Sequence, residues 1–264
     1  MSELAFRDKV VLITGASSGI GASLARRFAQ EGSRVILVAR RADRLAALSE
    51  ELQRLTKAVF TISGDLCEPD AVPRIVNETR DRAGPIDVLI NNAGAGEYGR
   101  FADQDAKALL AMIELNTSAL IRLTHAILPQ MIERHSGAIL NIASTAAFQP
   151  TPYMAVYGAT KSFVLSFSVS LWRELAGTGI HVTCVCPGPV KTEFFDRGGY
   201  ESRRVDYLRH SVEPDWLADQ AFRALANRRV VFIPGMINRL AAFLTRFASI
   251  KNVTRVSERL LGPR

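Results

Sequence analysis

The 264 residues are 48% hydrophobic and 22% charged, which is ordinary for a folded globular chain and enough to bury one large core. The net charge of +7 is confined to one end: residues 1–227 hold 25 basic and 25 acidic side chains, whereas residues 228–264 hold 8 and 1. A nucleic-acid binder would spread a basic stripe over a folded face, so no nucleic-acid partner is expected. The opening MSELAFRDKV carries Glu3, Arg7, Asp8 and Lys9 and lacks the apolar stretch of a secretory signal. No apolar run approaches the ~18 residues that a bilayer span requires, and the expectation is a cytoplasmic protein.

Along the chain, short apolar runs alternate with longer helical patterns. The runs are VVLIT (10–14), RVILVA (34–39), AVFTI (58–62), IDVLI (86–90), GAILNIA (137–143), HVTCVC (181–186) and VVFI (230–233). Runs apolar on both faces are strands covered on both sides, and strand alternating with helix implies a parallel sheet. The expected fold is a Rossmann-like doubly wound α/β sheet of about seven strands with helices on both faces. A helix is expected from Gly19 to Glu31, ending near Gly32, and another from Pro69 to Ala83, ended by Gly84 and Pro85. Residues 1–264 read as a single dinucleotide-binding catalytic domain, with a substrate-loop region at 193–227 and a basic amphipathic extension at 236–264.

TGASSGIG, Thr14 to Gly21, follows the first strand and enters a helix. Without Cβ atoms, Gly15, Gly19 and Gly21 let backbone approach a pyrophosphate, and the helix N-terminus offers it free N–H groups and partial positive charge. At the end of the second strand an acidic residue would accept from the ribose of NAD. Ala39 stands there instead, followed by Arg40 and Arg41. A guanidinium pairs bidentately with a 2′-phosphate, so the expected cofactor is NADP(H), and Arg40→Asp is the substitution expected to weaken NADPH selectively.

YGATK sets Tyr157 four residues before Lys161, which on a helix puts phenol and ammonium on one face. Reducing a carbonyl needs a proton at oxygen as well as a hydride at carbon. Free tyrosine, near 10, is too weak an acid for that, and an ammonium one turn away favours the phenolate. Cys67, Cys184 and Cys186 have no metal-site spacing; the last two alternate on a strand and read as buried structural thiols. His125, His135, His181 and His210 show no ligand pairing, and no metal centre is expected.

Taken in order, TGASSGIG, NNAG (Asn91 to Gly94), Asn116, Ser144, YGATK and Pro187-Gly188 resemble the short-chain dehydrogenase/reductase family, with Ser144 lying 13 positions before Tyr157. The resemblance implies that Tyr157 is the proton donor and acceptor, that Lys161 also holds the nicotinamide ribose, and that Ser144 orients the carbonyl. It gives Asn116 a water that completes a proton relay to Lys161. It further implies that Gly15, Ser17, Ser18, Gly19, Ile20 and Gly21 form the phosphate loop and that Asp65 and Leu66 meet the adenine. Asn92, Ala93 and Gly94 fall on the adenosine side, and Pro187, Gly188, Val190 and Thr192 beside the carboxamide. Asn91 reads equally well as a tie between strands, and Pro187 and Gly188 as the close of the sixth strand. Family analogy also suggests a homodimer or homotetramer built through helices near 105–133 and 154–177.

The expected reaction interconverts a carbonyl and a secondary alcohol on a small to medium apolar substrate, lined by Phe148, Tyr153, Met154, Phe194, Phe195, Tyr200 and Tyr207. Two other readings stay open. A dinucleotide-sensing regulatory protein would keep the fold without turnover, but it would have no use for Ser144, Tyr157, Lys161 and Asn116. An epimerase or dehydratase shares the tyrosine and lysine, yet the stretch after Thr192 leaves little room for its larger substrate domain. In MINRLAAFLTRFASI, residues 236–250, Ile237, Leu240, Ala241, Leu244, Phe247 and Ala248 follow helical spacing and Arg239 and Arg246 fall on another face. Packing on the body or on a subunit is the leading expectation, with a lid or partner interface and peripheral contact with anionic membrane as alternatives.

Overall fold

In the computed structural model, which describes residues 6–56, 58–194 and 211–262, all seven expected strands form. They are β1 (Val10–Thr14), β2 (Arg34–Ala39), β3 (Val59–Ser63), β4 (Val88–Asn91), β5 (Gly137–Ile142), β6 (Ile180–Val185) and β7 (Val231–Phe232). They make one parallel sheet in the order β3-β2-β1-β4-β5-β6-β7. The chain winds outward from β1 through β2 to β3, then returns to place β4 on the other side of β1. That reversal opens a crevice beyond the carboxyl ends of β1 and β4, where ligands of such sheets bind.

Among the described residues the α-helices are α1 (Gly19–Gln30), α2 (Ala42–Leu52), α3 (Ala71–Ala83), α4 (Ala106–Ile113), α5 (Ala119–Glu133), α6 (Ala155–Glu174), α7 (Pro214–Ala226), α8 (Met236–Leu244) and α9 (Ile250–Leu261). Alternation along β1 shows why the strands are apolar on both faces. Val11 and Ile13 join one core with Phe28 and Phe222, while Val10 and Leu12 join the other with Ile75 and Ile127. Each fully buried Leu, Ile or Phe of this kind contributes about 1.5–3 kcal/mol. Phe6, Phe28 and Phe222 meet edge to face, with ring centroids 5.1–5.3 Å apart, and fasten α7 to α1.

Two sequence expectations shift. The helix expected from Pro69 begins at Ala71. Pro73 has no N–H to give, so it fits the first turn, where no intrahelical partner is needed; a start at Pro69 would have required that bond. The helical spacing read over 236–250 ends earlier, with α8 closing at Leu244 and α9 starting at Ile250, and Ile237, Leu240, Leu244 and Phe247 are exposed on this chain, not packed on its body. No described helix is long and apolar enough to cross a membrane.

Candidate active site

The crevice beyond β1 and β4 begins with the glycines. Gly15 has φ +66°, and a Cβ there would sit 2.9 Å from the Ala93 Cα. At Gly21 a Cβ would come within 2.3 Å of the Gly15 carbonyl oxygen, so only glycine lets α1 close on the turn. Asn92 braces the same turn: its Nδ2 donates to the Thr14 carbonyl at 2.9 Å, and its backbone N–H donates to Thr14 Oγ1 at 3.0 Å. Asn91 is a tie between elements, as one of its two sequence readings had it. Its Nδ2 donates to Asn141 Oδ1 on β5 and to Thr124 Oγ1 on α5.

The two arginines after β2 separate. Arg41 turns over the loop and donates to Ser17 Oγ at 2.9 and 3.2 Å and to Ser18 Oγ at 2.8 Å. Its Nη1 also holds Glu193 at 2.9 Å, which Arg44 grips from the other side. Those hydrogen bonds, the one from Arg44 first, bring the Glu193 carboxyl down to about 2. Arg40 is 66% exposed and faces Asp65 at 3.5 Å, so it is the Arg41 guanidinium that bonds the loop serines. Burial opposes ionising Asp65, but the Cys67 amide and Arg40 outweigh it and hold the carboxyl below its usual range. Leu66 is buried, and its carbonyl accepts from Arg122.

On the far side of the crevice α6 carries Tyr157 and Lys161 one turn apart, both buried, with the Lys161 ammonium 5.8 Å from the Tyr157 ring centre. Lys161 Nζ donates to the Ile142 carbonyl at 2.9 Å. Burial brings its pKa down from 10.5 to about 8, partly offset by Cys184 and Cys186. Those two cysteines are free, buried, and 3.8 Å apart at sulfur. Ser144 follows β5 and caps a short 3₁₀ turn, Thr145–Phe148, accepting from the Ala146 N–H at 3.1 Å.

Asn116 sits beneath, in a π-turn at Glu114–Ser118 between α4 and α5. Its Nδ2 donates to the Ala95 carbonyl at 2.9 Å and to Thr160 Oγ1 at 3.0 Å, and its Oδ1 accepts from the Ala95 N–H. Both amide hydrogens are thereby used on protein. Gly94 is the meeting point, since a Cβ on it would lie 3.2 Å from Asn116 Oδ1 and 3.5 Å from Lys161 Nζ.

One cavity gathers Ile20, Asn92, Gly94, Ser144, Tyr157, Lys161, Pro187, Gly188, Val190 and Thr192. Met154 and Phe194 line it as expected, and the Phe194 ring lies tilted against that of Tyr157, with centroids 5.4 Å apart. Phe148 and Tyr153 are not among its lining residues. Phe148 packs into the apolar cluster around Leu120 and Val164, and Tyr153 lies against Tyr98 with its carbonyl taking the Gly99 N–H. Phe195, Tyr200 and Tyr207 lie outside the described residues. The expectations missed Ser257, Leu260 and Leu261 of α9, which complete the wall. No local pattern marked them, because they reach the cavity only through the return of the chain. Gly188 has a tertiary role too: a Cβ there would sit 2.7 Å from Asn238 Nδ2, so it seats α8.

Residues 9–199 match the family model described as short chain dehydrogenase. A serine 3-dehydrogenase of Agrobacterium fabrum is 39% identical over 206 residues, covering 77% of this chain and 81% of its own. Sulfoacetaldehyde reductase 2 of Chromohalobacter salexigens is 40% identical over 208 residues, covering 78% and 82%. Among solved structures, a short-chain dehydrogenase from Sphingobium yanoikuyae in complex with NADPH superposes with a TM-score of 0.81 at 40% identity, covering 90% of this chain and 93% of that one. With the glycine turn, the Ser144, Tyr157 and Lys161 cluster and the sheet order already described, these matches establish that the chain belongs to the short-chain dehydrogenase/reductase family of oxidoreductases.

Proposed function

We propose that the protein is an NADP(H)-dependent oxidoreductase that interconverts a carbonyl and a secondary alcohol on a small to medium apolar substrate. The observation that carries this reading is a cavity lined by the buried Tyr157 and Lys161 that reaches Ile20 and Asn92 at the edge of the glycine turn, over which Arg41 lies. The cradle fits a dinucleotide: Gly15 and Gly21 exclude any Cβ, and Arg41 with Ser17 and Ser18 offers donors suited to a phosphate ester. When bound, NADP(H) supplies or accepts the hydride.

The chain's own residues do the rest. Tyr157 gives a proton to the carbonyl oxygen in reduction and takes it back in oxidation. Lys161, whose ammonium burial already disfavours, holds charge beside the phenol and favours its ionised form. Ser144 orients the substrate oxygen toward Tyr157. Asn116 acts as a positioning residue, because it fastens the Ala95 loop to Thr160 and so to the helix turn that carries both groups. A π-turn also leaves backbone groups outside the regular ladder, which suits a relay water. The wall formed by Met154, Phe194, Leu260 and Leu261 excludes water and selects apolar substrates. A homo-oligomer built through α4, α5 and α6 belongs to the same reading, supported by exposed Leu110, Ile113, Ile121 and Phe163.

Tyr157→Phe tests it. On a panel of ketones and aldehydes followed by NADPH absorbance, the variant should lose about a thousandfold in kcat. NADPH binding, followed by fluorescence, should persist. Turnover that survives the substitution would remove Tyr157 from the chemistry.

A further inference from the structure

The face that α8 presents to solvent is the one that sequence patterning would put inside. Its inward side is small and polar, with Ala242 buried and Asn238 and Thr245 half-buried. Its outward side holds Met236, Ile237, Leu240, Phe243 and Leu244, exposed from 53% to 84%. At 3.6 residues per turn these five span an arc of about 120°. The next turn adds Phe247, 74% exposed, with its ring 5.0 Å from that of Phe243. Helix α9 is divided lengthwise: Val253 and Ser257 are buried against the body, while Val256 and Leu260 remain exposed. Lys251, Arg255 and Arg259, spaced by four, form one exposed basic row. Arg239 and Arg246 flank the apolar arc of α8 on one edge.

An exposed apolar patch of this extent marks a surface with a partner. Charge decides which one. The 37 residues from 228 carry 8 basic side chains and 1 acidic. A symmetric interface would set this patch against itself and bring cation to cation. Self-association has other ground on α4, α5 and α6, where charges of both signs occur. An anionic leaflet instead supplies the missing charge and an apolar layer at the same depth. A helix with aromatic and aliphatic residues on one arc and Lys and Arg beside it has the form that lies in the headgroup boundary.

We propose that α8 and α9 form a docking surface for an anionic lipid bilayer, lying along it without crossing it. Leu260 both lines the cavity and is exposed among the docking residues, so the cavity mouth would open at the lipid boundary. The inference goes beyond the catalytic reading and does not depend on it, since binding is measured without turnover.

The test is co-sedimentation of the full chain with vesicles of phosphatidylcholine alone and of phosphatidylcholine mixed with phosphatidylglycerol. Two variants are compared, Ile237→Ser with Phe243→Ser and Phe247→Ser, and Lys251→Glu with Arg255→Glu. The unaltered protein should sediment with the anionic vesicles and stay in solution with the neutral ones. Each variant should lose at least about tenfold in vesicle affinity. Melting temperature and elution volume on size exclusion should not change. The proposal fails if the unaltered chain does not bind anionic vesicles, binds both kinds equally, or keeps its affinity in both variants. It fails equally if the triple variant changes the oligomeric mass, which would assign the patch to a second copy of the chain. If the triple variant does not fold, the two-charge variant decides alone.

Discussion

The turn after β1 and the helix pair α8–α9 use similar side chains to opposite ends. Around the turn, Val11, Leu12 and Ile13 are fully buried, and the glycines accept no added atom. In α8, five of nine residues are large, apolar and exposed. The first region is determined by its own fold, because the strand is enclosed and Gly15 and Gly21 leave no room for a side chain. The second is held to the body along one narrow side, by Asn238 against Gly188, by the buried Ala242, Val253 and Ser257, and by the Leu261 carbonyl, which accepts from the Tyr98 hydroxyl. Its chemistry points outward. The turn therefore tolerates little change in its packing, whereas the tail can be altered on its outer face at little cost to the fold.

Five substitutions would break or sharpen that contrast. The largest effect is expected at Lys161, whose buried ammonium costs the folded state free energy. Its folded pKa, about 8, lies below the ordinary lysine value of 10.5, so the penalty is complete below about 8 and disappears as pH rises through 10.5. Lys161→Met should accordingly be more stable than the parent by roughly 3 kcal/mol below that window, with the margin closing above it. Urea melts across the range would show it; a margin independent of pH would mean the ammonium is not desolvated. Next comes Gly21→Ala, which forces a methyl onto the Gly15 carbonyl and should destabilise by about 2 kcal/mol while weakening nucleotide binding.

Smaller is the effect at the second strand's end. Arg41→Asp should reduce NADPH affinity by about tenfold relative to NADH, and Arg40→Asp by less, because Arg41 is the one over the phosphate loop. Equal losses in the two variants, measured by titration, would return Arg40 to the cradle. Smallest is Leu240→Ser on the outer face of α8, expected to shift the stability of the free protein by no more than about 0.5 kcal/mol. A loss of several times that would show α8 to be packed.

Much of the frame was legible in the chain. Strands buried on both faces must be apolar throughout, and β1, β2, β5 and β6 follow within a residue of the expected ends. At β7 the pattern overreached, since only Val231 and Phe232 pair with β6. The glycine turn and the four-residue step from Tyr157 to Lys161 were readable because each is a local rule, one of backbone sterics and one of helical pitch. The sequence reading chose Arg40 as the selective guanidinium, whereas it is Arg41 that bonds Ser17 and Ser18, because adjacent residues at a strand end diverge by an angle that only the following helix fixes. Tyr153 looked suited to the substrate wall, but its backbone, at φ +64°, turns it toward Tyr98.

By itself, then, the sequence determined the periodic and the adjacent: a parallel sheet, a phosphate turn, a phenol and an ammonium on one helix face, and a basic tail with an apolar stripe. Tertiary structure decided whatever depends on distant segments meeting. It set Arg41 on Ser17 and Ser18, placed Asn116 between Ala95 and Thr160, and brought Ser257, Leu260 and Leu261 back across the chain to the cavity. It also turned the stripe of α8 outward. Hydrophobic periodicity states that a face will be covered; only the arrangement of the whole chain shows whether the cover comes from the protein itself.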